Sequence, residues 1–109
     1  MNRIKVNRNI YGGDTVLVLE RPEAEKKEDR SVVINLPSGL NKTSLIYAII
    51  AIAKYENAWI SGINPVEFVG IHMHWLLEDR TEYGYFIKGE WYSNKSEILG
   101  TPDVWKPIH

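Results

Sequence analysis

A chain of 109 residues is long enough for one hydrophobic core and too short for two, so residues 1–109 are expected to form a single domain. Thirteen lysines and arginines nearly balance 14 aspartates and glutamates, which excludes bulk electrostatic attraction to nucleic acid or to an anionic membrane surface. Cysteine is absent, and with it go disulfides, thiol catalysis and thiolate metal sites.

In chain order, RIKVNRNIY alternates and runs into Gly12-Gly13-Asp14, a turn signal, and TVLVLE follows as a short strand. Residues 3–20 therefore read as a β-hairpin. In ERPEAEKKEDR, residues 20–30, nine of eleven residues are charged with mixed signs. No such segment buries itself, and it reads as a solvated loop or hairpin tip. SVVINLP, residues 31–37, is a third strand ended by Pro37 and Gly39.

NKTSLIYAIIAIAKYENAWISG opens with cap-type residues and closes near Gly62, which predicts a helix over 43–60. Its length and its alanines outweigh the β-branched IIAI run. Lys42, Thr43 and Ser44 stand at the helix start, where free backbone amides favour anions, and they are a candidate anion-binding site. Leu36 and Asn41 occupy both positions where a phosphate loop has glycine, so capping by Asn41 or Thr43 is the simpler role.

After Asn64-Pro65, VEFVGIHMHWLL and EYGYFIKGEWYS flank a polar EDRT turn and read as a second hairpin. The tail NKSEILGTPDVWKPIH is expected to be extended and tied down by Ile98, Leu99, Val104 and Trp105. The fold class is α+β: an antiparallel β-sheet, in the order βββαββ along the chain, packed on one long apolar helix.

That helix is apolar beyond what one sheet can cover. Leu45, Ile49, Ile52 and Trp59 make one stripe, Ile46, Ile50 and Ile60 a second, and Ala48, Ala51 and Ala58 a flank of small residues. The polar side rests on Tyr47, Lys54, Glu56 and Asn57. A sheet covers one face of a helix, so the surplus predicts a homo-oligomer, such as a homodimer, through the helix 43–60 or a sheet edge. A sheet curled around the helix within one monomer is the alternative. The longest apolar run, LIYAIIAIA, is less than half a membrane span, and the N-terminus lacks the apolar segment of a signal peptide. A cytoplasmic protein without a membrane or nucleic-acid partner is expected.

The most chemically suggestive motif is GIHMHWL, residues 70–76. Strand alternation puts His72 and His74 on one face and Ile71, Met73 and Trp75 on the other, apolar face, which should press on the helix. Both imidazoles then stand on the more solvated side, available for hydrogen bonding, proton transfer or ligation. The next loop decides their company, because a one-residue slip flips every side chain. A three-residue loop, 79–81, brings Glu82 to the histidine face. A two- or four-residue loop brings Tyr83 and Tyr85 instead, and builds a recognition surface.

His72-Met73-His74 resembles the metal-binding tripeptide of the HUH endonucleases, though every later tyrosine falls in a predicted strand where that family has a helix. It is also similar to the first motif of the cupins, with Glu78 or Glu82 and a third histidine, His109, near a proline-bearing tail. The cupin resemblance implies a divalent transition metal held by His72, His74, His109 and Glu78 or Glu82. It departs in glutamate spacing, and a cupin's histidines point inward, whereas Ile71, Met73 and Trp75 claim the interior here.

No Cys nucleophile, G-x-S-x-G motif or glycine-rich nucleotide loop is present. Ten of the twelve aromatic residues lie between Tyr55 and Trp105, where recognition should concentrate. The sequence therefore favours a small stand-alone protein, inhibitor- or adaptor-like, that binds a protein partner and performs no catalysis. It needs no cofactor on this reading, and its surface is expected at His72, His74, Tyr83, Tyr85 and Trp91. A metal-binding, cupin-like protein is the alternative.

Overall fold

The computed structural model describes residues 1–8, 15–67 and 70–108. The turn expected at Gly12-Gly13-Asp14, the positions Phe68 and Val69, and His109 lie outside them. The fold is mixed α+β, with nine strands and one α-helix among the described residues. The chain divides into two compact units, Met1–Ile63 and Asn64–His109.

In the first unit, β1 (Asn2–Arg8) and β2 (Thr15–Glu20) form the expected antiparallel hairpin, with Ile4 opposite Leu19 and Val6 opposite Leu17. These four apolar side chains share one face and are buried. β3 (Ser31–Leu36) adds antiparallel to β2, and β4 (Ala58–Ser61) adds parallel to β1, giving the order β3-β2-β1-β4. The sheet is thus mixed where an antiparallel one was expected. The crossover that a parallel pair requires contains α1 (Lys42–Glu56), which lies against β1 and β4.

The helix begins as expected: the Ser44 amide donates to Oδ1 of Asn41 at 2.8 Å, satisfying one free donor of the first turn. It ends earlier than expected. Asn57 adopts the left-handed conformation (φ 50, ψ 51) and its amide donates to the Ala53 and Lys54 carbonyls, closing the last turn. Trp59 and Ile60 therefore belong to a strand and not to the helix stripes, with Ile60 turned inward and Trp59 on the other face. Leu45, Ile46, Ile49, Ile50 and Ala53 form the buried side of α1, while Tyr47, Ala51 and Tyr55 are exposed.

The charged segment between β2 and β3 is exposed but organised. A turn of 3-10 helix spans Lys27–Asp29, the Arg21 amide donates to the Arg30 carbonyl at 2.8 Å, and Arg30 Nε donates to the Ala24 carbonyl at 2.9 Å. The Arg21 guanidinium grips both oxygens of Glu56, at 2.7 and 3.0 Å, tying this segment to the end of α1. That bidentate bond holds the Glu56 carboxyl below its usual range and raises the Arg21 guanidinium. A carboxylate lowered in the folded state contributes stability above its unfolded pKa and loses it as pH falls through the folded value. Glu56→Gln is accordingly expected to lower the melting temperature near neutral pH. The difference from the parent should shrink on acidification below the ordinary glutamate range, and a difference independent of pH would contradict this.

In the second unit, β5 (Gly70–Trp75) is flanked by β6 (Arg80–Ile87) and β9 (Val104–Pro107), both antiparallel. β7 (Glu90–Ser93) and the two-residue β8 (Ile98–Leu99) complete the order β9-β5-β6-β7-β8. EYGYFIKGEWYS, expected as one strand, is two. Lys88 and Gly89 both take positive φ (50 and 79), as a primed two-residue hairpin turn requires. Ile71, Met73, Trp75, Phe86, Trp91 and Trp105 are buried, and the Arg80 guanidinium lies 4.2 Å from the centre of the Trp75 ring. Val104 and Trp105 anchor the tail as expected, while Ile98 is 68% exposed. Among the described residues no helix is long and apolar enough to cross a membrane.

Candidate functional site

The connection between β5 and β6 is four residues, Leu76–Asp79, closed by Asp79 in the left-handed region (φ 47). An acidic clamp holds its start: Oδ2 of Asp103 accepts the Leu76 amide at 2.7 Å, and the Asp103 amide donates to the His74 carbonyl at 3.0 Å. The register that follows pairs His72 with Tyr83, His74 with Thr81 and Gly70 with Tyr85. Directly opposed residues share a face, so the tyrosines join the histidines. Glu82 falls opposite Met73, on the other face.

The face continues across three further strands. Lys106 lies opposite His72, Tyr92 opposite Tyr85, and Ile98 opposite Tyr92. His72 and Tyr83 meet edge to face with centroids 5.4 Å apart, and Tyr85 stacks on Tyr92 at 5.2 Å, 15° from parallel. The Tyr85 hydroxyl donates to Ser96 Oγ at 2.9 Å, which pins that ring. Tyr83 is 52% exposed, and His72, Tyr85, Tyr92 and Lys106 are half-buried. Aromatic rings held by one another in this way lose little freedom on meeting a partner.

Two expected members depart from the surface. His74 shares the face with His72 but is only 7% exposed, between Thr81 and the fully buried Val104. Its Nδ1 is 2.8 Å from Thr81 Oγ1 and its Nε2 is 3.6 Å from Asp79 Oδ1, so it braces the hairpin end. Trp91 lies opposite Phe86 with centroids 4.8 Å apart, on the apolar face and buried. The Lys88-Gly89 turn sets that orientation. The same turn brings Tyr92 into the site, which sequence reasoning missed along with Ile98 and Lys106.

The other candidate residues are dispersed. Glu78 is exposed in the turn with its Oε2 3.3 Å from Arg80 Nε, Glu82 is across the sheet from the histidines, and His109 is outside the described residues. Among the described residues no three of His, Cys, Asp or Glu gather closely enough to hold a metal ion. Lys42, Thr43 and Ser44 are exposed at the start of α1, where the Asn41 side chain already accepts the Ser44 amide. No family model matches the chain, and no curated protein or solved structure does so either.

Proposed function

We propose that the chain is a binding protein, inhibitor- or adaptor-like, that recognises a protein partner through the face bearing His72, Tyr83, Tyr85 and Tyr92, and that it acts as a homo-oligomer without catalysing a reaction. The observation that carries this reading is the four-residue Leu76–Asp79 connection, whose register gathers the tyrosines beside His72. Tyrosine suits recognition because a rigid ring supplies apolar area and its hydroxyl a hydrogen bond, at the cost of few rotatable bonds. Lys106 and the exposed Ile98 extend the patch with a charge and an aliphatic contact.

The test is a pull-down from the native host comparing the parent with the double variant Tyr83→Ala, Tyr92→Ala. Binding hot spots lose about 2 kcal/mol each on truncation, about 30-fold in affinity, so the captured partner is expected to disappear while the circular dichroism spectrum shows the variant still folded. An identical set of captured proteins would sink the reading. Stoichiometric metal in untagged protein, lost in His72→Ala, would replace it with metal-dependent chemistry.

A further inference from the structure

We infer that β3 is a self-pairing edge: two copies of the chain join β3 to β3, antiparallel, about a two-fold axis through Val33. This rests on the reading of the chain as a homo-oligomer and names its interface. Among the described strands of the first unit, β3 has a neighbour on one side only. Edge strands are normally blunted by proline, glycine bulges or charge, and Ser31–Leu36 contains none of these.

The free edge has a defined pattern. The Arg21 amide donates to the carbonyl of the directly opposed Arg30, so that pair is a hydrogen-bonded one. Bonded and non-bonded pairs alternate in an antiparallel ladder. With Glu20 opposite Ser31, Val18 opposite Val33 and Val16 opposite Asn35, these three pairs are the non-bonded ones. The amides and carbonyls of Ser31, Val33 and Asn35 therefore point away from β2. Three outward residues centred on Val33 are their own complement: Val33 faces Val33 of the second copy, and Ser31 faces its Asn35, twice. That arrangement makes about six hydrogen bonds.

Side-chain burial favours a second copy over an unrelated strand. On the inward face Leu17 is 0% and Leu19 1% exposed, yet Val32 and Ile34 beside them on β3 are only half-buried. In the two-fold register Val32 lies opposite Ile34 of the other copy, and both gain an apolar neighbour. Val33, 61% exposed on the outer face, would meet its own counterpart. Opposed Cα atoms in a bonded pair are about 5.5 Å apart, inside the disulfide range of about 4.4–6.8 Å. The two Asn35 positions would be about 13 Å apart, four residues along the strand.

The chain has no cysteine, so a single introduced thiol reports the interface. Under mild oxidation Val33→Cys is expected to form a covalent dimer, while Asn35→Cys stays unlinked. By light scattering the parent is expected to be a dimer at high concentration and Val33→Pro a monomer, since the lost amide donates nothing to β2. Val33→Lys, which opposes two like charges, should also be monomeric and serves if the proline variant fails to fold. A parent that stays monomeric would remove self-association altogether. A dimeric parent whose Val33→Cys does not link and whose Val33→Lys stays dimeric would overturn this interface alone. Equal linking of Asn35→Cys would overturn the register.

Discussion

Gly84→Ala is expected to destabilise the protein by about 3 kcal/mol or more, at the upper end of what overpacking costs. Gly84 is buried in β6, opposite Ile71 on one side and Ser93 on the other. A Cβ there would collide with the Tyr92 carbonyl oxygen and lie 2.8 Å from the Ser93 Cα and carbonyl carbon, all backbone atoms. Backbone cannot rotate aside as a side chain can, and β7 is also held by its own turn. Ser93 Oγ accepts the Lys95 and Glu97 amides at 3.2 Å, and the Ser93 amide donates to the Glu97 carbonyl at 2.9 Å. Relief of the clash would have to separate β6 from β7 and break the Tyr85–Tyr92 stack with it. Urea unfolding measures the loss, and a midpoint unchanged from the parent's would contradict the close approach.

Gly62→Ala is the second large loss, expected at about 2–4 kcal/mol, with two separable causes. Gly62 has φ +88, which an L side chain adopts at a cost of about 1–2 kcal/mol. Its Cβ would also strike the Val6 carbonyl oxygen, with the Val6 carbonyl carbon and amide nitrogen each at 3.2 Å. Gly39 has the same φ of +88 and open space around the position of a Cβ. Gly39→Ala should therefore show the backbone cost alone, and the difference between the two variants isolates the contact with β1. Equal losses in denaturant melts would mean that the Val6 contact relaxes freely.

Much of the architecture was legible because it follows from local signals. The 3–20 hairpin, the solvated 20–30 segment, a helix cap at Asn41 or Thr43 and the inward set Ile71, Met73 and Trp75 all rest on patterns spanning a few residues, and the structure selects Asn41 as the cap. The failures share a cause: a turn whose residues carry little or no turn signal of their own. Asn57 ended the helix four residues before the expected limit because AWIS reads equally well as a helix face or an alternating strand. Lys88-Gly89 is a hairpin turn of the primed type, but lysine in place of asparagine or aspartate hid it, and Trp91 was assigned to the wrong face. The β5–β6 turn contains Leu76 and Leu77, residues that turn chemistry does not favour, so EDRT drew the turn instead. The histidine–tyrosine pairing was foreseen only as one of two registers, and Asp103, 27 residues from the Leu76 amide it accepts, helps hold the observed one.

The tryptophans are unevenly placed. Trp75, Trp91 and Trp105 are buried and stand on strands of Asn64–His109, with the Arg80 cation over Trp75, whereas Met1–Ile63 has only the half-buried Trp59. The α-helix of the described residues lies wholly in Met1–Ile63. Ultraviolet light thus separates the two halves of the chain. Indole emission is dominated by the half that carries the tyrosine face, and the helical dichroism near 222 nm by the half that carries β3, so loss of order in either is visible in its own colour.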